Sequence, residues 1–191
     1  MKHRIIRGLV AGALLATAAG FASADVLTFD DIGSYGTLPA NYGGLDWSAS
    51  NWIAFGDTQD PYAPHSGDWR VTTDFGSSDA DSTIHFVAPT VFDGAWFSGF
   101  GEAAVTFELY LSGALVASSV TLSPTSVASY LASGYAGLID TVVVSSPLQA
   151  FYAMDDFTFH APVAAVPEPQ TWALMLAGLG IVTVVRRKRR S

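Results

Sequence analysis

The chain is 191 residues long, has no cysteine, and sets 17 Asp and Glu against 9 Lys and Arg for a net charge of −8. No disulfide can brace it, and an acidic chain is a poor partner for nucleic acid or for an anionic membrane surface. The distribution of charge excludes more than the total does. Lys2, Arg4 and Arg7 stand at one end, Arg186 to Arg190 at the other, and Arg70 alone lies between them among sixteen carboxylates, which puts residues 25–165 near −15. Such a surface suits divalent cations and neutral polysaccharides, and it also simply keeps a domain soluble.

Residues 1–24 read as a secretory signal peptide: a basic start, an uncharged run from Gly8 to Phe21, and the small-x-small triplet Ala22-Ser23-Ala24. Cleavage after Ala24 starts the mature chain at Asp25. It makes the Sec translocon and signal peptidase the first expected partners.

Residues 25–160 show almost no helical periodicity. Short β-branched and aromatic runs recur between Gly, Pro, Asp and Ser, the pattern of an all-β domain. The predicted strands are 26–29, 51–55, 69–73, 83–88, 95–100, 103–111, 114–122, 139–144 and 151–159. Residues 31–50 are expected to form a long loop, and residues 125–131 one short helical turn. In the run Val105 to Leu111 the odd positions are all apolar, as in a half-buried strand. Ser112-Gly113 between two runs reads as a tight hairpin turn. This predicts a two-sheet antiparallel sandwich of the jelly-roll kind. A signal helix and a C-terminal transmembrane helix are expected to flank it.

The first and last predicted strands each end in an Asp pair, Asp30-Asp31 and Asp155-Asp156, and neighbouring residues of a strand point to opposite faces. A buried carboxylate must be paired, hydrogen-bonded or bound to metal. One arginine cannot serve them all, so structural calcium, which takes six to eight oxygen ligands, is a candidate at Asp30, Asp31, Asp155 and Asp156. The alternative is that these carboxylates cap backbone N–H groups at turns. Asp79-Ala80-Asp81 reads as a solvated turn.

Aromatic residues are dense in the early loops. Tyr35, Tyr42, Trp47 and Tyr62 are candidate platforms for a sugar, whose C–H faces stack on flat rings while nearby carboxylates and amides take its hydroxyls. The same rings could equally fill a core, and for Trp52, Trp69 and Trp96, placed on strands, core is the preferred reading.

Nothing in the sequence assembles a catalytic set. There is no Gly-x-Ser-x-Gly, no His-Glu-x-x-His and no phosphate-binding loop. On one strand Glu102 and Glu108 would stand about 20 Å apart, whereas a glycosidase pair needs roughly 5–9.5 Å. The expectation is a non-enzymatic domain. A carbohydrate-active enzyme built on Asp residues is the alternative.

Residues 161–170 form a Pro/Ala linker that includes Pro167-Glu168-Pro169, and residues 171–191 follow as an apolar span with a basic end. The uncharged run from Thr171 to Val185 is about 22 Å long as a helix, short against a hydrocarbon core of roughly 30 Å. Arg186, Arg187, Lys188, Arg189 and Arg190 can snorkel, Trp172 can sit at the interface, and the basic cluster should stay cytoplasmic.

Pro167-Glu168-Pro169, the apolar span Trp172 to Val185 and the cluster Arg186 to Arg190, in that order, resemble the PEP-CTERM sorting signal of Gram-negative surface proteins. The resemblance implies recognition by an exosortase, removal of the tail near Pro-Glu-Pro after an inner-membrane intermediate, and association with exopolysaccharide and biofilm matrix. The body, through Thr28 to Asp31, Phe92 to Trp96 and Tyr152 to Phe157, resembles galactose-binding-like jelly-roll sandwiches. That likeness implies a binding module, sometimes with calcium between its terminal strands, and leaves the ligand open. Together these readings give an exported matrix or surface protein that binds extracellular polysaccharide, with a purely structural matrix protein as the alternative.

Overall fold

The computed structural model describes residues 23–73, 81–162 and 175–176. The expectations for the signal peptide through Ala22, for Asp79 and Ala80, for Pro167-Glu168-Pro169 and for the basic cluster lie outside the described residues, as do those for the two flanking helices.

Eleven strands form the described body: β1 Ala24–Leu27, β2 Gly36–Thr37, β3 Leu45–Asp46, β4 Trp52–Phe55, β5 Arg70–Thr73, β6 Asp81–Gly99, β7 Thr106–Leu111, β8 Ala114–Ser118, β9 Ser129–Ala132, β10 Ile139–Ser145 and β11 Tyr152–His160. All pairings are antiparallel, and they fall into two hydrogen-bonded layers. One layer runs β2-β4-β5-β11-β6-β9, with β1 along the second half of β11. The other runs β3-β6-β10-β7-β8. The fold is thus the expected all-β antiparallel sandwich, and its first and last strands lie side by side, Leu27 opposite Phe157.

The long strand β6 belongs to both layers. Its first half pairs with β10 and its second half with β11, so it carries the chain from one sheet to the other. Two strands were expected here, 83–88 and 95–100. Glycine's conformational freedom is used instead inside the strand: Gly94 has φ +148°, and a Cβ there would lie 2.3 Å from the carbonyl oxygen of Leu131. The absence of a side chain lets β9 approach, and the inward parity changes from Ile84, Phe86 and Phe92 to Ala95 and Phe97.

The region 125–131 is not helical. Thr125 Oγ1 accepts from the Val127 amide, a local hydroxyl turn, and the chain then enters β9. The Ser and Thr residues of this region serve a turn here. Residues 31–50 are less of a loop than expected, because they hold β2, β3 and a 3-10 turn at Tyr42–Gly44.

The core lies between the layers. Val105, Phe107 and Leu109 are all fully buried, as their alternation predicts. Ser112 and Gly113 both take positive φ, 52° and 78°, as a type I′ hairpin requires. Aromatic rings from several elements meet there: Phe92 packs on Phe107 and Phe157, and Trp47 meets Phe29, Trp52 and Phe157 edge-on.

Candidate functional site

The segment 56–69, between β4 and β5, folds back over the outer face of the first layer. It covers Phe55 and Ala153, which form a small apolar cluster with Tyr62. Its organiser is Arg70, which is only 1% exposed. Nε donates to the Tyr62 carbonyl at 2.7 Å, Nη1 to the Asp68 carbonyl at 2.9 Å and the Phe55 carbonyl at 3.5 Å, and Nη2 to the Asp57 carbonyl at 2.5 Å. The guanidinium carbon stands 4.0 Å from the centre of the Phe55 ring. Burial pulls the Arg70 pKa down, while Asp155, Asp57 and Asp68 push it back up. The single cation of the body is therefore spent on backbone carbonyls, a task for which a planar five-donor group is suited.

The two Asp pairs anchor the end of the same segment. Asp30 Oδ1 accepts from the amides of Asp68 and Trp69, at 2.9 and 3.0 Å. Asp155 Oδ2 accepts from the amides of His65 and Ser66, at 2.7 and 3.0 Å, and its Oδ1 from the amide of Asp156. Asp156 holds the His65 ring at Nδ1 and accepts from Ser66 Oγ. Asp31 accepts from the Tyr42 hydroxyl, and that hydrogen bond, after burial, raises the Tyr42 pKa.

Gly67 sits at the centre of this clamp with φ +50°, and a Cβ there would lie 2.1 Å from the Asp30 carboxylate. Phe29 and Asp156, at the edges of the clamp, also have positive φ, 61° and 46°. Burial pushes Asp155 up to about 6, and the charge of Asp156 adds to the rise; the three backbone amides oppose it but do not prevail. The structure thus places Asp30, Asp155 and Asp156 as a loop clamp, while Asp31 takes the Tyr42 hydroxyl. Each of the four carboxylates accepts from at least one N–H or O–H donor, and among the described residues no three His, Asp or Glu side chains gather as a metal site.

Three clefts adjoin the clamped segment. An open one of about 520 Å³ is lined by Asp31, Ser34, Tyr35, Thr37 and Tyr42 among others. A second, of about 80 Å³, lies over Ile53, Phe55 and Thr72 between Tyr35 and Tyr62, with Asp57 and Gln59 on its rim. A third, of about 190 Å³, runs from Gln59 and Tyr62 to Asp60, Asp68 and Arg70. Tyr35 lines the first two, and Gln59 and Tyr62 line the last two, so the three adjoin as a trough-like row of clefts.

Of the four candidate aromatics, Tyr35 is 71% exposed. Tyr42 is half-buried and stacks on Phe29 at 5.5 Å. Tyr62 is a wall residue whose hydroxyl donates to the Ala150 carbonyl, and its ring is packed against Phe55 and Phe100. Trp47 is buried in the core and donates to the Tyr42 carbonyl, so it offers no face to a ligand. Trp52 is core as expected and Trp69 packs against the core, but Trp96 faces outward, stacked on His65 with centroids 3.5 Å apart and flanked by Tyr130. The parity change at Gly94 turned Trp96 out, and no periodicity in the sequence marks that change. Glu108 accepts from the Tyr110 hydroxyl on β7, and Glu102 lies in the turn before that strand.

Residues 165–190, which take in Pro167, Glu168, Pro169 and Arg186 to Arg190, match the family model of the PEP-CTERM protein-sorting motif. The chain carries a PEP-CTERM sorting motif. The motif signals export and sorting to the cell surface and implies an exosortase as partner. Among the described residues no helix is long and apolar enough to cross a membrane. No curated protein matches this PEP-CTERM chain.

Among solved structures, a variant of CBM29-2, a family 29 carbohydrate-binding module, complexed with mannohexaose is 15% identical, with 74% of this chain and 92% of that chain covered and a TM-score of 0.41. A carbohydrate-binding module of family 29 is 14% identical, with 80% and 98% covered and a TM-score of 0.39. Differences of this size leave no residue role to be carried from one chain to the other.

Proposed function

We propose that this exported, sorted chain is a non-catalytic polysaccharide-binding protein of the cell surface or extracellular matrix, and that its binding surface is the trough beside the clamped segment. The observation that carries this reading is Tyr35: a ring 71% exposed at the junction of two clefts. Asp31, Asp57 and Gln59 line the same clefts, where they can accept hydroxyl donors. An exposed aromatic face with convergent acceptors is the chemistry of sugar stacking. The trough is open along its length, which suits an internal stretch of a polymer. Residues 171–191 hold the chain in the inner membrane until processing, and the domain is then released to the surface.

The test is a glycan array with residues 25–165, followed by titration of any hit against the wild-type domain and Tyr35→Ala. The expected result is binding that weakens about tenfold or more in the variant, with an unchanged melting midpoint. A silent array would favour a purely structural matrix protein. Equal binding by the variant would move the site away from the trough. Release of reducing ends would make the protein an enzyme.

A further inference from the structure

The open charged groups around the trough are all of one sign. Asp31 lines the first cleft, Asp57 the second, and Asp60 and Asp68 the third. All four residues are exposed. Arg70, the only Lys or Arg of the body, borders the third cleft but is 1% exposed, and its Nε, Nη1 and Nη2 all donate to backbone carbonyls. His65, the histidine of the clamped segment, is held at Nδ1 by Asp156 and lies face to face with Trp96. Among the described residues no free cationic group therefore lines the clefts.

The carboxylates of the body differ in how they are used. Asp30, Asp155 and Asp156 accept from the amides and the hydroxyl of the clamp, Asp93 meets His160, and Asp140 accepts from the Ser112 amide. Asp57, Asp60 and Asp68 differ: among the described residues no N–H or O–H donates to their side chains. The chain thus directs its donors to the clamp and leaves three carboxylates open along one row of clefts. Alone they would be a solvated acidic surface. The ring beside them makes them part of a site: Tyr35, 71% exposed, shares the second cleft with Asp57 and the first with Asp31.

We infer that the trough takes a polysaccharide bearing free amino groups, with one sugar stacked on Tyr35 and its ammonium directed to Asp57. The inference deepens, and rests on, the reading of the trough as the binding surface. A ligand that covers an ionised carboxylate strips away its water, a loss that an opposite charge offsets best. A uronic acid polymer would bring like charge against four carboxylates with no free cation to meet it. A neutral polymer offers hydroxyls only. An ammonium adds attraction to the carboxylates and to the face of the tyrosine ring, and a body near −15 draws a polycation in from a distance. The row also suits a repeating charge: Asp57 borders the second cleft, Asp60 and Asp68 the third, and Gln59 and Tyr62 are common to both.

The test is calorimetric titration of residues 25–165, which hold the whole described core, at a pH where the amine is charged. The ligands are a glucosamine oligomer, its fully N-acetylated counterpart and a uronic acid oligomer of the same length. The glucosamine oligomer should bind about tenfold or more tighter than the N-acetylated one, the advantage should shrink as salt is raised, and the uronic acid oligomer should not bind. Asp57→Asn should weaken glucosamine binding about threefold or more, leave the N-acetylated oligomer unaffected, and leave the melting midpoint unchanged, since its side chain has no partner in the fold. Asp140→Asn is the control: it removes one charge from β10 in the other layer, keeps an acceptor for the Ser112 amide, and should leave binding as it was. An Asp140→Asn effect equal to that of Asp57→Asn would overturn the inference. Tighter binding of the N-acetylated oligomer, lost in Tyr35→Ala, would also overturn it and leave the trough as a site for neutral polysaccharide. Glucosamine binding that Tyr35→Ala does not weaken would overturn both readings.

Discussion

Arg70→Met removes the organiser of the trough while keeping an unbranched side chain in its place. The guanidinium makes three short hydrogen bonds, to the carbonyls of Tyr62, Asp68 and Asp57, and one long one to Phe55. Hydrogen bonds from a charged group contribute about 1.5–3 kcal/mol each. The face of Phe55 adds about 1 kcal/mol through its ring. Two effects reduce the sum: the freed carbonyls of a surface segment can be hydrated in part, and the cost of burying the guanidinium disappears. Loss of one member of a buried polar network typically leaves about 3–5 kcal/mol of destabilisation, which corresponds to a melting midpoint lower by about 10–15 °C for a domain of this size. Calorimetry of residues 25–165 measures this directly. Hydrogen exchange should place the new opening at the amides of 57–69, with β7 and β10 unaltered. Arg70→Lys should fall between the two, because a point charge cannot serve three separated carbonyls at once. A loss below about 1 kcal/mol for Arg70→Met, or a lysine variant as stable as wild type, would refute the view that the fork holds this segment.

Burial sets Asp155 at about 6, against an ordinary 3.8. Between those values the folded chain keeps a proton that the unfolded chain releases, so this group's contribution to stability falls as pH rises from about 4 to about 6, by about 2–3 kcal/mol. Urea titrations across that range should show the fall, and Asp155→Asn should flatten it; a wild-type profile that rises through the window would contradict the assignment. Gly67→Ala adds a Cβ 2.1 Å from the Asp30 carboxylate at φ +50°, whereas Gly33→Ala, at φ +63°, meets nothing within 4 Å. The second should cost about 1–2 kcal/mol for the backbone alone, and the first should cost about 1–2 kcal/mol more as Asp30 is displaced from two amides. Equal midpoints for the two variants would remove Asp30 from the clamp. Calcium followed by chelator should leave the melting midpoint of the wild-type domain unchanged, because the four Asp residues already have protein donors; a rise with calcium would show selective binding to the folded state.

The sequence announced the sandwich because its signals are local. The alternation of Val105, Phe107 and Leu109 and the Ser112-Gly113 turn each depend on a few adjacent residues, and each is found where its pattern put it. The features that escaped are set by distant partners. Gly94 has its role only once β9 lies against it, and the parity change it permits is what turns Trp96 outward. Ser and Thr at 125–129 read as a helix start until β6 offers β9 a ladder. The Asp pairs were recognised as groups needing partners, but the donors of Asp30, Asp155 and Asp156 come chiefly from residues 65–69, some 38 positions away in one case and 90 in another, and that of Asp31 from Tyr42. A linear reading sees two carboxylate pairs and no cation, and calcium is the natural inference. The folded chain has a third supply, the amides of a turn kept open by a residue without a side chain.

That supply bears on how a domain near −15, without disulfides and with one arginine, holds its loops. Ion pairing cannot do it, since Arg70 is turned wholly toward carbonyls. The carboxylates that are buried or half-buried take N–H and O–H donors instead, and hydrogen bonds to an ionised acceptor are roughly twice as strong as neutral ones. Each such bond also leaves the net charge where it was. The acidity thus persists around the trough.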